Sequence, residues 1–259
     1  MCFDLDSLPP IVPIAGGALD AAKLVLTADD GVGFLAFRAR ASQPTGAGIL
    51  ILPDVRGLHP FFEELALRFA EAGVDALAID YFGRTAGTGT PRDDTFDYMP
   101  HVQQTTRNGL GADIRAGAAE LRSSGGGAVR SLFTVGFCFG GRLAFMTAAM
   151  GLDLAGAIGF YGRPTPGSAD DSPVPIDVVG AMRGSVLGLF GGADPGIPAD
   201  AIEAFDVALS AAGVDHRLVT YPGAPHSFFD RKASDYAEAS AAAWDETLRF
   251  VRERTAPRV

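Results

Sequence analysis

Apolar residues in this chain come in short runs, and the period changes between the runs. Residues 48–53, Gly-Ile-Leu-Ile-Leu-Pro, are apolar at every position. That is the pattern of a strand buried on both faces. Similar short runs predict strands at 75–80, 131–135, 155–161, 185–190 and 217–221. The intervening stretches place apolar side chains at helical spacing and predict helices over 60–71 (ended by Gly73), 102–123, 198–212 and 234–253. Near the start, 23–28 and 32–39 flank Asp29-Asp30-Gly31, a turn signal that predicts an antiparallel hairpin at one sheet edge. Strand and helix alternating with right-handed crossovers predict an α/β architecture, a mostly parallel sheet with helices on both faces. Residues 1–20 hold Pro9, Pro10 and Pro13 without a period and read as an extended arm, leaving a single domain over 21–259. Two aperiodic stretches, 81–100 and 163–177, read as long loops, and loops of that length are usually functional.

Composition narrows the function classes. The chain has 259 residues, 47% of them apolar, enough for one large core. Its net charge of −10 argues against nucleic acid, which needs a basic face. Cys2 and Cys138 make no disulfide framework, so a reducing compartment fits. The N-terminus lacks a basic segment followed by an apolar one, and no apolar run reaches the roughly 18 residues of a membrane span. The expectation is a cytoplasmic protein, monomer or weak homodimer, without metal or cofactor, acting on a small molecule. Abundant Gly and Ala suggest a bacterial source.

The candidate chemistry starts at Gly136-Phe137-Cys138-Phe139-Gly140-Gly141, between a predicted strand and a helical pattern. Strand, tight turn and helix with a nucleophilic residue at the apex is the context of a nucleophile elbow. A lone cysteine is more often a small buried hydrophobe, but flanking glycines and this context favour a presented thiol. A thiol nucleophile needs a base, and the base needs an orienting group. In this fold class the order is nucleophile, acid, histidine, each just past a strand. Asp194, in Gly191-Gly192-Ala193-Asp194, and His226, in Gly223-Ala224-Pro225-His226-Ser227-Phe228, supply both partners in that order. Taken singly, Asp194 could be a turn acid and His226 a structural loop residue. The backbone N–H of Phe139 and one from the segment after the 48–52 run, Val55, are the expected oxyanion donors; plain packing is the competing account of Val55.

These three motifs, with Gly159-Phe160-Tyr161-Gly162 and Ile79-Asp80-Tyr81, resemble the dienelactone hydrolase family from about residue 22 to residue 250. The resemblance implies an α/β-hydrolase fold, hydrolysis of a small lactone or ester of the carboxymethylenebutenolidase type, and no cofactor. It implies Cys138 as nucleophile, Asp194 as acid and His226 as base. It also implies a carboxylate that restrains the thiol, here Asp54, whose alternative is a turn residue. The family holds a substrate carboxylate with two arginines. One matching position is Asp230 here, with Arg231 next to it; for the other, Arg84, Arg92 and Arg107 lie nearby without a clear match. Arg84 and Arg231 are therefore either substrate-binding or solvated surface.

Phe82, Phe96 and Tyr98 of the 81–100 stretch could roof an aromatic pocket with Phe137, Phe139, Phe160, Tyr161 and Phe228, or these rings could be core. An apolar pocket would suit neutral aryl or short acyl esters. A general carboxylesterase or thioesterase on the same triad is thus the second reading. A non-catalytic small-ligand binder is the third, and redox work at Cys138 is weaker still, with no second cysteine in a Cys-x-x-Cys pair.

Overall fold

A computed structural model describes residues 7–93, 95–167 and 173–257. Cys2 and the first six residues of the expected arm lie outside the described residues. The described residues form eight strands, mostly parallel. The described chain divides into two compact units, one of residues 11–132 with the end of the chain from 255, the other of 133–254 with the N-terminal residues up to 10.

In the first unit, β1 (Ala18–Thr27) and β2 (Gly33–Ala41) form the expected antiparallel hairpin, and β2 pairs antiparallel with β4 (Asp75–Ile79). The strand begins inside the stretch expected to be arm. β3 (Ala47–Leu52) runs parallel to β4, and every residue of both is buried. Between them lies α1 (Pro60–Glu71), with Pro60 in the first turn and Gly73, at φ +86°, just past the end. α1 buries Phe61, Phe62, Leu65, Ala66, Phe69 and Ala70, the i, i+3, i+4 stripe read from the sequence.

The 81–100 stretch is not plain loop. It holds the one-turn helices α2 (Gly83–Ala86) and the start of α3 (Met99–Val102). Arg92 anchors it: its guanidinium is 1% exposed and 2.9 Å from the buried Asp80 carboxylate. It also donates to the carbonyls of Gly87 and Thr90 and packs over the Phe96 ring. Asp80 in turn accepts from the backbone N–H groups of Leu58 and Phe82. The following helix, α4 (Arg107–Arg122), begins five residues later than the expected 102. Thr106 is extended and its Oγ1 accepts from Gly109 N, so the cap sets the start. Gly117 lies against Leu50, where a Cβ would sit 2.8 Å from the leucine side chain.

In the second unit, β5 (Ser131–Phe137) leads into α5 (Phe139–Thr147). Then follow β6 (Leu154–Phe160), a 3₁₀ helix Pro175–Ala181, β7 (Ser185–Gly191), α6 (Ala199–Ala211), β8 (His216–Tyr221) and α7 (Ala237–Arg254). β6, β7 and β8 pair in parallel. The 3₁₀ helix begins within the expected 163–177 loop, of which residues 168–172 lie outside the described residues. No helix among the described residues is long and apolar enough to cross a membrane.

Candidate active site

Cys138 is the single residue between β5 and α5, and its backbone sits at φ 56°, ψ −111°. A non-glycine residue adopts that conformation only when its surroundings impose it. The glycines explain how the turn closes. A Cβ on Gly136 would lie 1.9 Å from the Gly140 carbonyl oxygen, and one on Gly141 would lie 2.4 Å from that of Phe160. The Cys138 N–H donates to Phe160 O at 3.0 Å, which ties the turn to the end of β6. The cysteine is neither fully buried nor fully exposed. Phe139 opens α5, so its N–H belongs to the first helical turn, whose donors lack intrahelical acceptors and favour an anion.

Asp194 and His226 are joined directly. His226 Nδ1 and Asp194 Oδ2 are 2.6 Å apart, with the aspartate side chain 2% exposed and the histidine 33%. The other carboxylate oxygen accepts from Gly196 N at 2.8 Å. The loops that carry them are stitched together by the backbone: Gly192 N donates to Tyr221 O and Ala193 N to Ala224 O. Gly191 permits that approach, because a Cβ there would lie 2.4 Å from Ala224 O. Arg163, just past β6, donates to Gly196 O at 2.6 Å and holds the Asp194 loop from the other side.

The histidine loop has its own supports. Ser227 is at φ 63° and its carbonyl accepts from Asp230 N. Ser240 of α7 donates its hydroxyl to Phe228 O at 2.7 Å. Tyr161 lies against the His226 ring, centroid to centroid 4.9 Å, and donates its hydroxyl to Asp230 Oδ2 at 2.8 Å.

Several expected substrate-binding residues have other employment. Arg84 is ion-paired to Asp30 and to the buried Asp113, 2.8 Å away, so it is a structural cation rather than a free clamp. Phe228 is fully buried, with Tyr161 and Tyr221 rings against it. Tyr161 is 1% exposed and its hydroxyl is already committed to Asp230. Phe228 packs within the loop that carries His226, and Tyr161 packs against that loop. Phe137 and Phe160 are likewise core, stacked at 4.7 Å. Arg231 is half-buried and has no ion pair among the described residues. Asp54 is buried just past β3 and its Oδ1 accepts from Arg56 N at 2.9 Å, a turn arrangement, with Val55 between them. Cys138, Phe139, Tyr161, Asp194 and His226 thus fall in the 133–254 unit, whereas Asp54, Val55 and Arg84 belong to the other. The Tyr161–Asp230 contact was not legible in the sequence, because its partners are 69 residues apart and each alone is unremarkable. Among the described residues, no group of three or more His, Cys, Asp or Glu side chains is placed to hold a metal ion.

Comparison with known proteins agrees with this architecture. The model of the dienelactone hydrolase family matches residues 34–255. An Escherichia coli O157:H7 protein provisionally named carboxymethylenebutenolidase is 30% identical over 257 residues, covering 90% of this chain and 92% of its own. A Methylorubrum extorquens protein with the same provisional name is 30% identical, covering 91% and 81%. A crystal structure from Klebsiella pneumoniae, provisionally named a dienelactone hydrolase, superposes with a TM-score of 0.76 at 28% identity, over 90% of this chain and 98% of that one. With its elbow, its sheet and these relatives, the chain belongs to the dienelactone hydrolase family of α/β-hydrolases and is an ester hydrolase.

Proposed function

We propose that the protein hydrolyses small lactones or esters through a thioester on Cys138, with His226 as general base and Asp194 as its orienting acid. The observation that carries this is the 2.6 Å His226–Asp194 contact in the same unit as a cysteine held in a strained strand-to-helix turn. His226 takes the thiol proton, and the thiolate adds to the carbonyl carbon. The negative charge moves to the carbonyl oxygen, where the Phe139 N–H at the start of α5 stabilises it. Collapse breaks the C–O bond, and the leaving alkoxide or enolate takes the proton from the imidazolium. In a lactone that leaving group stays tethered to the acyl part. Water then attacks the thioester with His226 again as base, releasing the acid and restoring the thiol.

A second reading, a general esterase on neutral short-chain or aryl esters, is favoured by one observation. Arg84 is held by two carboxylates, and Arg92 by Asp80, so neither is a free cation for a substrate carboxylate. A bidentate arginine is the strongest orienting contact an anionic substrate can have.

The test is hydrolysis of cis- and trans-dienelactone beside p-nitrophenyl acetate and butyrate by wild type and Cys138→Ala. The expected outcome is loss of roughly a thousandfold or more in kcat on substitution. Lactone turnover above ester turnover would assign a dienelactone hydrolase. Activity confined to the neutral esters would assign the general esterase. Equal inertness of both proteins would favour a ligand binder, and undiminished activity of the variant would refute the thiol mechanism.

A further inference from the structure

We propose that Tyr161 and Asp230 form a positioning pair for His226, fixing the plane of the imidazole that Asp194 alone fixes only at one nitrogen. The proposal rests on the reading of His226 as the base.

The Nδ1–Asp194 contact holds one edge of the ring, but a ring held at one edge can still swing about that bond. A second surface against its face removes the swing. Tyr161 supplies that surface, with centroids 4.9 Å apart and planes at 56°. The tyrosine ring is fixed in turn at both ends. Its backbone is at φ 38° and its N–H donates to Leu189 O at 2.8 Å; its hydroxyl reaches Asp230 Oδ2, also at 2.8 Å.

The polar contact is the part that packing does not require. The neighbouring rings of Phe137, Phe160 and Phe229 stack on one another without any polar tip. A phenylalanine at 161 would fill the same space. Burying the Asp230 carboxylate, which is 4% exposed, costs free energy unless it is hydrogen-bonded. A buried polar contact of this kind adds little net stability but specifies one geometry. Its placement gives that geometry a use. Asp230 shares the short loop of His226, and Tyr161 follows Phe160, whose carbonyl receives the Cys138 N–H. The pair therefore links the loop of the base to the strand end that holds the nucleophile turn. Tyr161 is a positioning residue: its hydroxyl is already used, and it reaches His226 with its ring.

The test is steady-state kinetics of Tyr161→Phe, Asp230→Ala, Asp230→Asn and His226→Ala on p-nitrophenyl acetate, with kcat expressed per titrated Cys138. Misplacing a base lowers kcat without weakening substrate binding. Tyr161→Phe and Asp230→Ala are therefore expected to lose about tenfold in kcat with KM changed by less than about twofold. Asp230→Asn keeps an acceptor for the tyrosine hydroxyl and is expected to retain kcat within about twofold. A purely structural role would move melting temperature but not kcat per active site. Wild-type kcat in folded Tyr161→Phe overturns the proposal, and this near-isosteric variant decides if Asp230→Ala does not fold. So does equal loss in Asp230→Asn and Asp230→Ala, since the hydrogen bond would then not be the operative feature. Full activity of His226→Ala would refute the base assignment itself. An inactive His226→Ala beside a fully active Tyr161→Phe would refute the positioning pair alone.

Discussion

At Cys138 the backbone is held at φ 56°, ψ −111°, a conformation that costs a non-glycine residue about 1–3 kcal/mol. Presenting the thiol at the head of α5 is therefore opposed by local strain. Replacing Cys138 by Gly should release most of that strain, whereas Cys138→Ala should not. Offset by the greater chain entropy of glycine, the expected gain is about 1–2 kcal/mol, so Cys138→Gly should melt a few degrees above Cys138→Ala by calorimetry. Equal melting temperatures would mean the turn is not strained. Asp194→Asn addresses the acid. The asparagine retains the shape but not the charge that steadies an imidazolium, and its amide can select the wrong tautomer. Loss of roughly 10²–10⁴ in kcat, with the fold intact by circular dichroism, is the expected outcome. The turn at Cys138 and the Asp194–His226 contact were legible because each residue stands in a glycine-bearing turn just past an apolar run, and close backbone approach demands such turns. The ion pairs of Arg84 were not legible because its partners, Asp30 and Asp113, are distant in sequence. The burial of Tyr161 and Phe228 was likewise not legible, because their rings meet from distant parts of the sequence.

Among the elements, those with an unambiguous period and punctuation were legible almost to the residue. α1 runs between Pro60 and Gly73 as read, and β3 and β4 are apolar runs that proved fully buried. Where a side chain decides the boundary, period alone failed. The start of α4 is set by Thr106, and the 81–105 connection is shaped by one buried arginine. Arg92 holds its segment through Asp80, two backbone carbonyls and the Phe96 ring. Arg92→Ala would leave the Asp80 carboxylate buried without its cation. Removing one partner of a buried pair costs about 3–5 kcal/mol. In thermal melts this should appear as a fall of roughly 6–20 °C. A change of only a degree or two would show that the ion pair does not hold the segment.

Over the whole molecule, the response to pH has an identifiable contributor. Burial, with help from the Arg56 charge, pushes His59 down from 6.5 to about 4, against the opposing charge of Asp93. Between those values the unfolded chain binds a proton at this position that the folded chain refuses. The contribution of His59 is thus present above pH 6.5 and is lost as pH falls towards 4. Asp75 and Asp113 act with the opposite sign, because burial raises their carboxyls above 3.8 and favours the protonated folded form as pH falls. His59→Gln should therefore flatten the decline of melting temperature over that window; an unchanged slope would remove His59 as its source. In the proposed mechanism, turnover passes through an acyl group on Cys138. The most direct measurement is mass spectrometry of acid-quenched enzyme mixed with p-nitrophenyl acetate, followed by peptide mapping. An acetyl group on the peptide containing Cys138, formed and lost at rates that match turnover and absent in Cys138→Ala, is the predicted result. Turnover with no acyl group on that peptide, or one carried by another residue, would contradict the account.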